Sequence, residues 1–124
     1  MTADTSDEDS VDDLKKTHKL IRDVYPVAPV LLLNVIPLVE EELSLDVLRV
    51  RILATETLGN MFASKTSKLF SEYPSIWHEW QGRRNDKAAA IRIRWLELAA
   101  EIYKSHPEHA GNELSGKNGG KNGL

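Results

Sequence analysis

Apolar residues recur at steps of three and four along most of this chain. Val11, Leu14, His18, Ile21 and Tyr25 share one side of a helix read over about residues 11–25, which Pro26 ends. Residues 1–10 are polar and acidic with nothing to bury, which predicts a disordered arm. Pro29 suits the first turn of a second helix reaching about Leu43. The centre of that helix, Val30 to Ile36, is apolar nearly all round, as expected of a helix covered on more than one side, and Pro37 should kink it. Glu40, Glu41 and Glu42 crowd its C-terminal end, where the macrodipole disfavours negative charge; the alternatives are a solvated end and a surface for a basic partner. A third helix follows Ser44-Leu45-Asp46 and runs to about Ala63. After a polar stretch comes a brief helix with Leu69, Phe70 and Tyr73 inward, then a short one from Pro74 with Ile76, Trp77 and Trp80 on its apolar side and a stop at Gly82. The last helix leaves the Arg83-Arg84-Asn85-Asp86 turn and runs to about Ser105, before Pro107. Residues 109–124 repeat Gly-Lys-Asn-Gly without an apolar pattern and read as a flexible tail.

The third and last helices are changed copies of one another. Val-Arg-Ile at 50–52 returns as Ile-Arg-Ile at 91–93, an offset of 41 residues. Val50/Ile91, Ala54/Trp95, Leu58/Ala99, Met61/Ile102 and Phe62/Tyr103 keep one face apolar in both copies. Each copy follows an acid suited to an N-cap, Asp46 or Asp86. Paired helices at a period near 40 residues are the signature of a HEAT or armadillo-type array. The expected fold is all-α, a HEAT-type α-solenoid segment of about two to two and a half helical-hairpin repeats over residues 11–108. So few repeats leave faces uncovered, so a marginal domain that self-associates or exposes apolar surface is expected.

Charge divides the chain unevenly. The net charge is −3, yet residues 1–14 carry six acids and no base, which leaves +3 on the rest. Without cysteine there is neither a disulfide framework nor thiolate chemistry. The longest greasy run, Val27 to Val39, is broken by Pro29, Asn34 and Pro37 and is too short to span a bilayer; no membrane association is expected. The acidic start is no secretory signal, and a soluble intracellular protein is expected.

Little in the sequence points to catalysis. Arg51 and Arg92 open the two copies, and an arginine at that place is expected to reach an acid of the adjoining turn and tie successive hairpins; Asp46 and Asp86 are the acids available. Residues 83–94 hold five bases and one acid. Arg83, Arg84 and Lys87 have no counterpart in the first copy and crowd the positive end of a helix, so they are candidates for an anionic partner, either polyphosphate or an acidic segment. The competing reading is a solvated helix start. Trp77, Trp80 and Trp95 sit at helical spacing among apolar neighbours and belong to a core. His106 and His109 flank Pro107, which precludes the helical spacing of a metal pair. No serine, threonine or lysine has an activating neighbour, and no cofactor is expected.

The order of these features resembles a known family. A proline-interrupted aliphatic helix is followed by a Val-Arg helix ending Met61-Phe62-Ala63, then tryptophans, then Gly-Arg-Arg-Asn-Asp and Ile-Arg. This series resembles the N-terminal HEAT-repeat region of the fungal sister chromatid cohesion protein of the precocious-dissociation-of-sisters family, over Leu20 to Glu108. The resemblance implies a nuclear, chromatin-associated, non-enzymatic scaffold. Its partners would be the kleisin subunit of cohesin, with the cohesin release factor and the cohesin acetyltransferase acting alongside. Chromatin association would be indirect, and no partner-contact residue is carried over. Family members are much longer, so the chain reads as a fragment or a truncated copy. The alternatives are an unrelated HEAT-type protein–protein adaptor and a non-functional copy.

Overall fold

The computed structural model describes residues 3–109, with side chains from residue 10 onward, and every regular element among them is helical. The first helix, α1, spans Ala3–Val24 and so begins well before Val11, where apolar periodicity starts. An acid-rich stretch suits the first turns of a helix, where the macrodipole favours negative charge, so periodicity marks where α1 is packed rather than where it starts. His18, Ile21 and Tyr25 are buried, whereas Val11 and Leu14 are only half-buried. The expected tail from 109 onward lies outside the described residues except for His109, whose ring stacks on Phe70 at 3.7 Å.

The expected kinked helix over 29–43 is two pieces. Pro29–Leu32 form a 3₁₀ turn, and α2 runs Ile36–Glu42 with Pro37 in its first turn. A proline there forfeits no hydrogen bond, so the chain breaks before Pro37 instead of bending at it. One side of this segment enters the core through Leu32, Ile36, Val39 and Leu43. The other side is open. Val30 is 67% exposed and Leu31 70%, against the covering that the apolar run suggested.

Helix α3 spans Leu48–Ala63, α4 Leu69–Glu72, α5 Pro74–Gln81 and α6 Ala89–Ser105. Helix α3 is the centre of the stack and touches α1, α2, α4, α5 and α6. Ala54, Leu58, Met61 and Phe62 are buried on it, and Ile91, Trp95, Leu98, Ala99 and Ile102 on α6. The hairpins α2–α3 and α5–α6 lie side by side, with α1 against the far side of α3; this is the all-α, solenoid-like architecture that the repeat implies. At Gly59 the two helices leave no room for a side chain: an added Cβ would stand 3.0 Å from Leu98 Cδ1 and 3.1 Å from its Cβ.

Two local expectations change. The N-cap residues are Val47 and Ala88, neither with a side-chain cap, so Asp46 and Asp86 sit just outside the positions assigned to them. Helix α5 does stop at Gly82, as expected, but with φ −61° rather than in a left-handed turn, and the chain passes into a 3₁₀ turn, Gly82–Asn85.

Candidate functional site: the seam between the hairpins

The turns before α3 and α6 bring most of the chain's conspicuous charges to one edge of the stack. Asp86 lies at its centre, with its side chain 1% exposed. Arg51 grips it with both arms of the guanidinium, Nε to Oδ2 at 2.8 Å and Nη2 to Oδ1 at 2.9 Å. The remaining Arg51 nitrogen, Nη1, donates to the Leu45 carbonyl at 2.9 Å. Arg83 Nη1 donates to Asp86 Oδ2 at 2.8 Å and to the Leu43 carbonyl at 3.2 Å, while the Ala88 N–H donates to Asp86 Oδ1 at 2.8 Å. One carboxylate thus joins the start of α3 to the turn before α6. Planar, two-point recognition of a carboxylate is a property of arginine that lysine cannot reproduce.

The electrostatics follow from this geometry. Burial by itself would raise the Asp86 carboxyl, but the Arg51 bonds, the Ala88 N–H and the Arg51 and Arg83 charges outweigh it and hold the pKa below the ordinary value. Arg51 is shifted upward by its bonds to Asp86, against the effect of burial.

Lys87 and Arg83, expected to await an external anion, already have internal ones. Lys87 Nζ lies 2.6 Å from Asp46 Oδ1, and Arg83 is bound to Asp86. The anion that makes cations tolerable at this helix start is supplied by the chain's own turns. Arg84 stands exposed on the 3₁₀ turn. A shallow hollow of about 320 Å³ over the seam is lined by Ser44, Leu45, Asp46, Arg51, Arg83, Asn85, Asp86 and Lys87, so both signs of charge face it. Arg92 is exposed and donates to the backbone carbonyl of Asp86 at 2.7 Å; among the described residues it ties its own turn and not a second hairpin.

Three further links had no signal in the sequence. His18 is 1% exposed and places Nδ1 2.7 Å from Thr57 Oγ1 and Nε2 2.9 Å from Glu42 Oε1, linking α1, α2 and α3. Arg94 bridges Glu56 on α3 and Glu97 on its own helix, both at 2.9 Å. The Trp80 indole N–H donates to the Thr55 carbonyl at 2.9 Å. Side-chain spacing along one strand of sequence cannot reveal partners that lie 24 to 39 residues apart. The Glu40–Glu42 cluster also finds partners inside the fold, Ser75 for Glu40 and His18 for Glu42. Trp80 is fully buried, Trp95 nearly so and Trp77 half-buried, each in contact with another aromatic ring.

Thr57, the hydroxyl that meets His18, is fully buried and also accepts from Arg22 at 3.2 Å, so the contact holds helices together rather than facing a substrate. Most of the strong polar groups join one helix to another, and among the described residues no three His, Cys, Asp or Glu side chains converge as metal ligands. No described helix is long and apolar enough to cross a membrane. A larger hollow of about 440 Å³ is mainly apolar, lined by Tyr25, Pro29, Val30, Leu33, Ile36 and Tyr73 together with Thr66, Lys68 and Glu72.

The seam and the 41-residue period define a repeat, and comparison with known families decides which one. The family model for sister chromatid cohesion protein PDS5 matches residues 1–118. The chain belongs to the PDS5 family. The Schizosaccharomyces pombe sister chromatid cohesion protein pds5 is 37% identical over 89 residues, covering 72% of this chain and 7% of the relative. The PDS5 homolog A proteins of Mus musculus and Homo sapiens are each 30% identical over 102 residues, covering 82% of this chain and 8% of theirs. The chain therefore spans less than a tenth of the length of these PDS5 relatives. No solved structure matches it significantly.

Proposed function

We propose that this chain is a non-enzymatic scaffold segment acting in sister chromatid cohesion, in the nucleus and at chromatin through the cohesin complex. Membership of the PDS5 family over residues 1–118 is the observation that carries the reading. The geometry supports it from a second direction. Arg51, Asp86, Arg83, His18 and Arg94 all bond to other parts of the fold, as expected where side chains hold helices in register and surfaces do the binding. The partners proposed from the resemblance are the kleisin subunit of cohesin and the cohesin release factor.

The test is affinity capture with the tagged full chain from nuclear extract. Recovery of kleisin together with the SMC subunits, above a charge-matched helical control, supports the reading. Recovery of transport or assembly factors without cohesin would replace it with a general HEAT-type adaptor.

A further inference from the structure

His18 is a titratable ring sealed inside the fold, and it sits where three helices meet. Its Nε2 faces Glu42 Oε1 on α2 and its Nδ1 faces Thr57 Oγ1 on α3. Arg22, one turn along α1, donates Nη1 to the same Thr57 oxygen at 3.2 Å. A carboxylate can only accept, so the bond network places the ring hydrogen on Nε2. In the neutral ring Nδ1 is then bare and takes the Thr57 O–H, while Thr57 accepts from Arg22. Every hydrogen points one way along the series Arg22, Thr57, His18, Glu42, and each meets an acceptor.

A second proton on the ring breaks that order. Nδ1–H and the Thr57 O–H would meet head-on, so the hydroxyl must turn away, and an imidazolium would stand beside the Arg22 guanidinium. The charged groups facing the ring are Arg22 from α1, Glu42 from α2 and Glu56 from α3. Burial is the largest effect, and with Arg22 it outweighs the pull of the two carboxylates, so the folded ring sits below the ordinary 6.5. Once α1 lifts, the ring meets water and regains the ordinary value. Acid therefore favours the lifted helix, with the hold complete above 6.5 and lost as pH falls through the folded value.

The remaining fastenings of α1 are the burial of Ile21 and Tyr25 and a 3.2 Å contact between the Tyr25 and Ser67 hydroxyls. The Lys19–Asp23 pair is exposed and lies within α1 itself. The seam between α3 and α6 answers to a different group, since the Asp86 carboxyl is held below 3.8. The two fastenings thus yield in separate pH ranges. We propose that His18 is a proton-operated latch, whose protonation releases α1 from α2 and α3 while the α3–α6 seam stays closed. The stack then has a hinge on its α1 side.

The experiment is hydrogen exchange of the full chain, read by mass spectrometry at about pH 7.5 and about pH 5.5 and corrected for the intrinsic pH dependence of exchange. A single proton allows the opening constant of α1 to rise by up to about tenfold across that interval. Residues 11–24 should lose protection several-fold, while residues 89–99 of α6 change by less than about twofold. His18→Gln keeps a donor and an acceptor but cannot gain a proton, and it should abolish the α1 response. Nitrogen NMR of the wild-type ring tests the same latch without a variant. It should show the Nε2–H tautomer at about pH 7.5, and a titration below 6.5 that runs in step with the loss of α1 protection. Joint loss of protection in α1 and α6 overturns the proposal, as does an α1 response that survives His18→Gln. So does a ring that carries its hydrogen on Nδ1 at about pH 7.5, because the series of bonds would then run the other way.

Discussion

Replacing Arg51 by alanine is the sharpest perturbation available to this fold. It removes two bonds to Asp86 and one to the Leu45 carbonyl, while Asp86 stays buried. Removing one partner of a buried ion pair costs about 3–5 kcal/mol, because the remaining charge keeps its desolvation and loses its compensation. Here Asp86 retains Arg83 and the Ala88 N–H, so the loss should fall at the lower end, about 3 kcal/mol. Urea unfolding followed by circular dichroism and by the fluorescence of the buried Trp80 and Trp95 would read it; with a slope of about 1.5 kcal/mol per molar, the midpoint drops by about 2 M. Asp86→Asn in the same background should cost much less than it does in the wild type, since its main partner has already gone. Acid should mimic the mutation. The Asp86 pKa is depressed in the folded state, so its stabilisation is complete above the ordinary value of 3.8 and is lost as pH falls through the lower folded value. A loss below about 0.5 kcal/mol for Arg51→Ala, the behaviour of an exposed pair, would refute the clamp.

Lys87→Glu should leave stability within about 0.5 kcal/mol in thermal melts, because both it and Asp46 are largely exposed. His18 has its pKa lowered by burial, against the pull of Glu42, so the folded state favours the neutral ring. Its contribution is present above 6.5 and lost as pH falls through the folded value; the urea midpoint should decline across that window in the wild type and stay flatter in His18→Gln. Gly59→Ala gains about 1 kcal/mol of helix propensity but presses on both Cβ and Cδ1 of Leu98, an overpacking cost of about 1–3 kcal/mol. Net destabilisation is expected, and a raised melting temperature would show that Leu98 yields.

Periodicity made the long helices legible, since α3 and α6 carry apolar residues at steps of three and four; that α3 is also covered at Thr55, Thr57 and Gly59 follows from its central place and not from its pattern. The same rule misread Val30, Leu31 and Leu33, because an apolar run records what could be covered and not whether a neighbour is there to cover it. The start of α1 escaped for the complementary reason: its first turns have no apolar stripe. At the seam, the repeat revealed that arginine opens each helix, and the charge surplus of the second turn was plain. Which acid each cation meets was hidden, because Arg51 finds its carboxylate 35 residues away and Lys87 finds Asp46 at 41. A local count of bases saw a patch, within which the folded chain supplies acids of its own to Arg83, Lys87 and Arg94.

Helix α3 is fastened to its neighbours differently at its two ends. At its start the fastening is the Arg51–Asp86 clamp; at its finish it is a nest of rings, Phe62 against Phe70, Trp77 and Trp80, with the His106 ring on the Ser64 carbonyl. These answer to different variables. Protonation of Asp86 loosens the first and leaves the rings untouched. Cooling weakens the second through its apolar burial and also raises the desolvation penalty of the clamp, so cold acts on both. The stack therefore behaves like a book with two unlike bindings, of which acid opens only one.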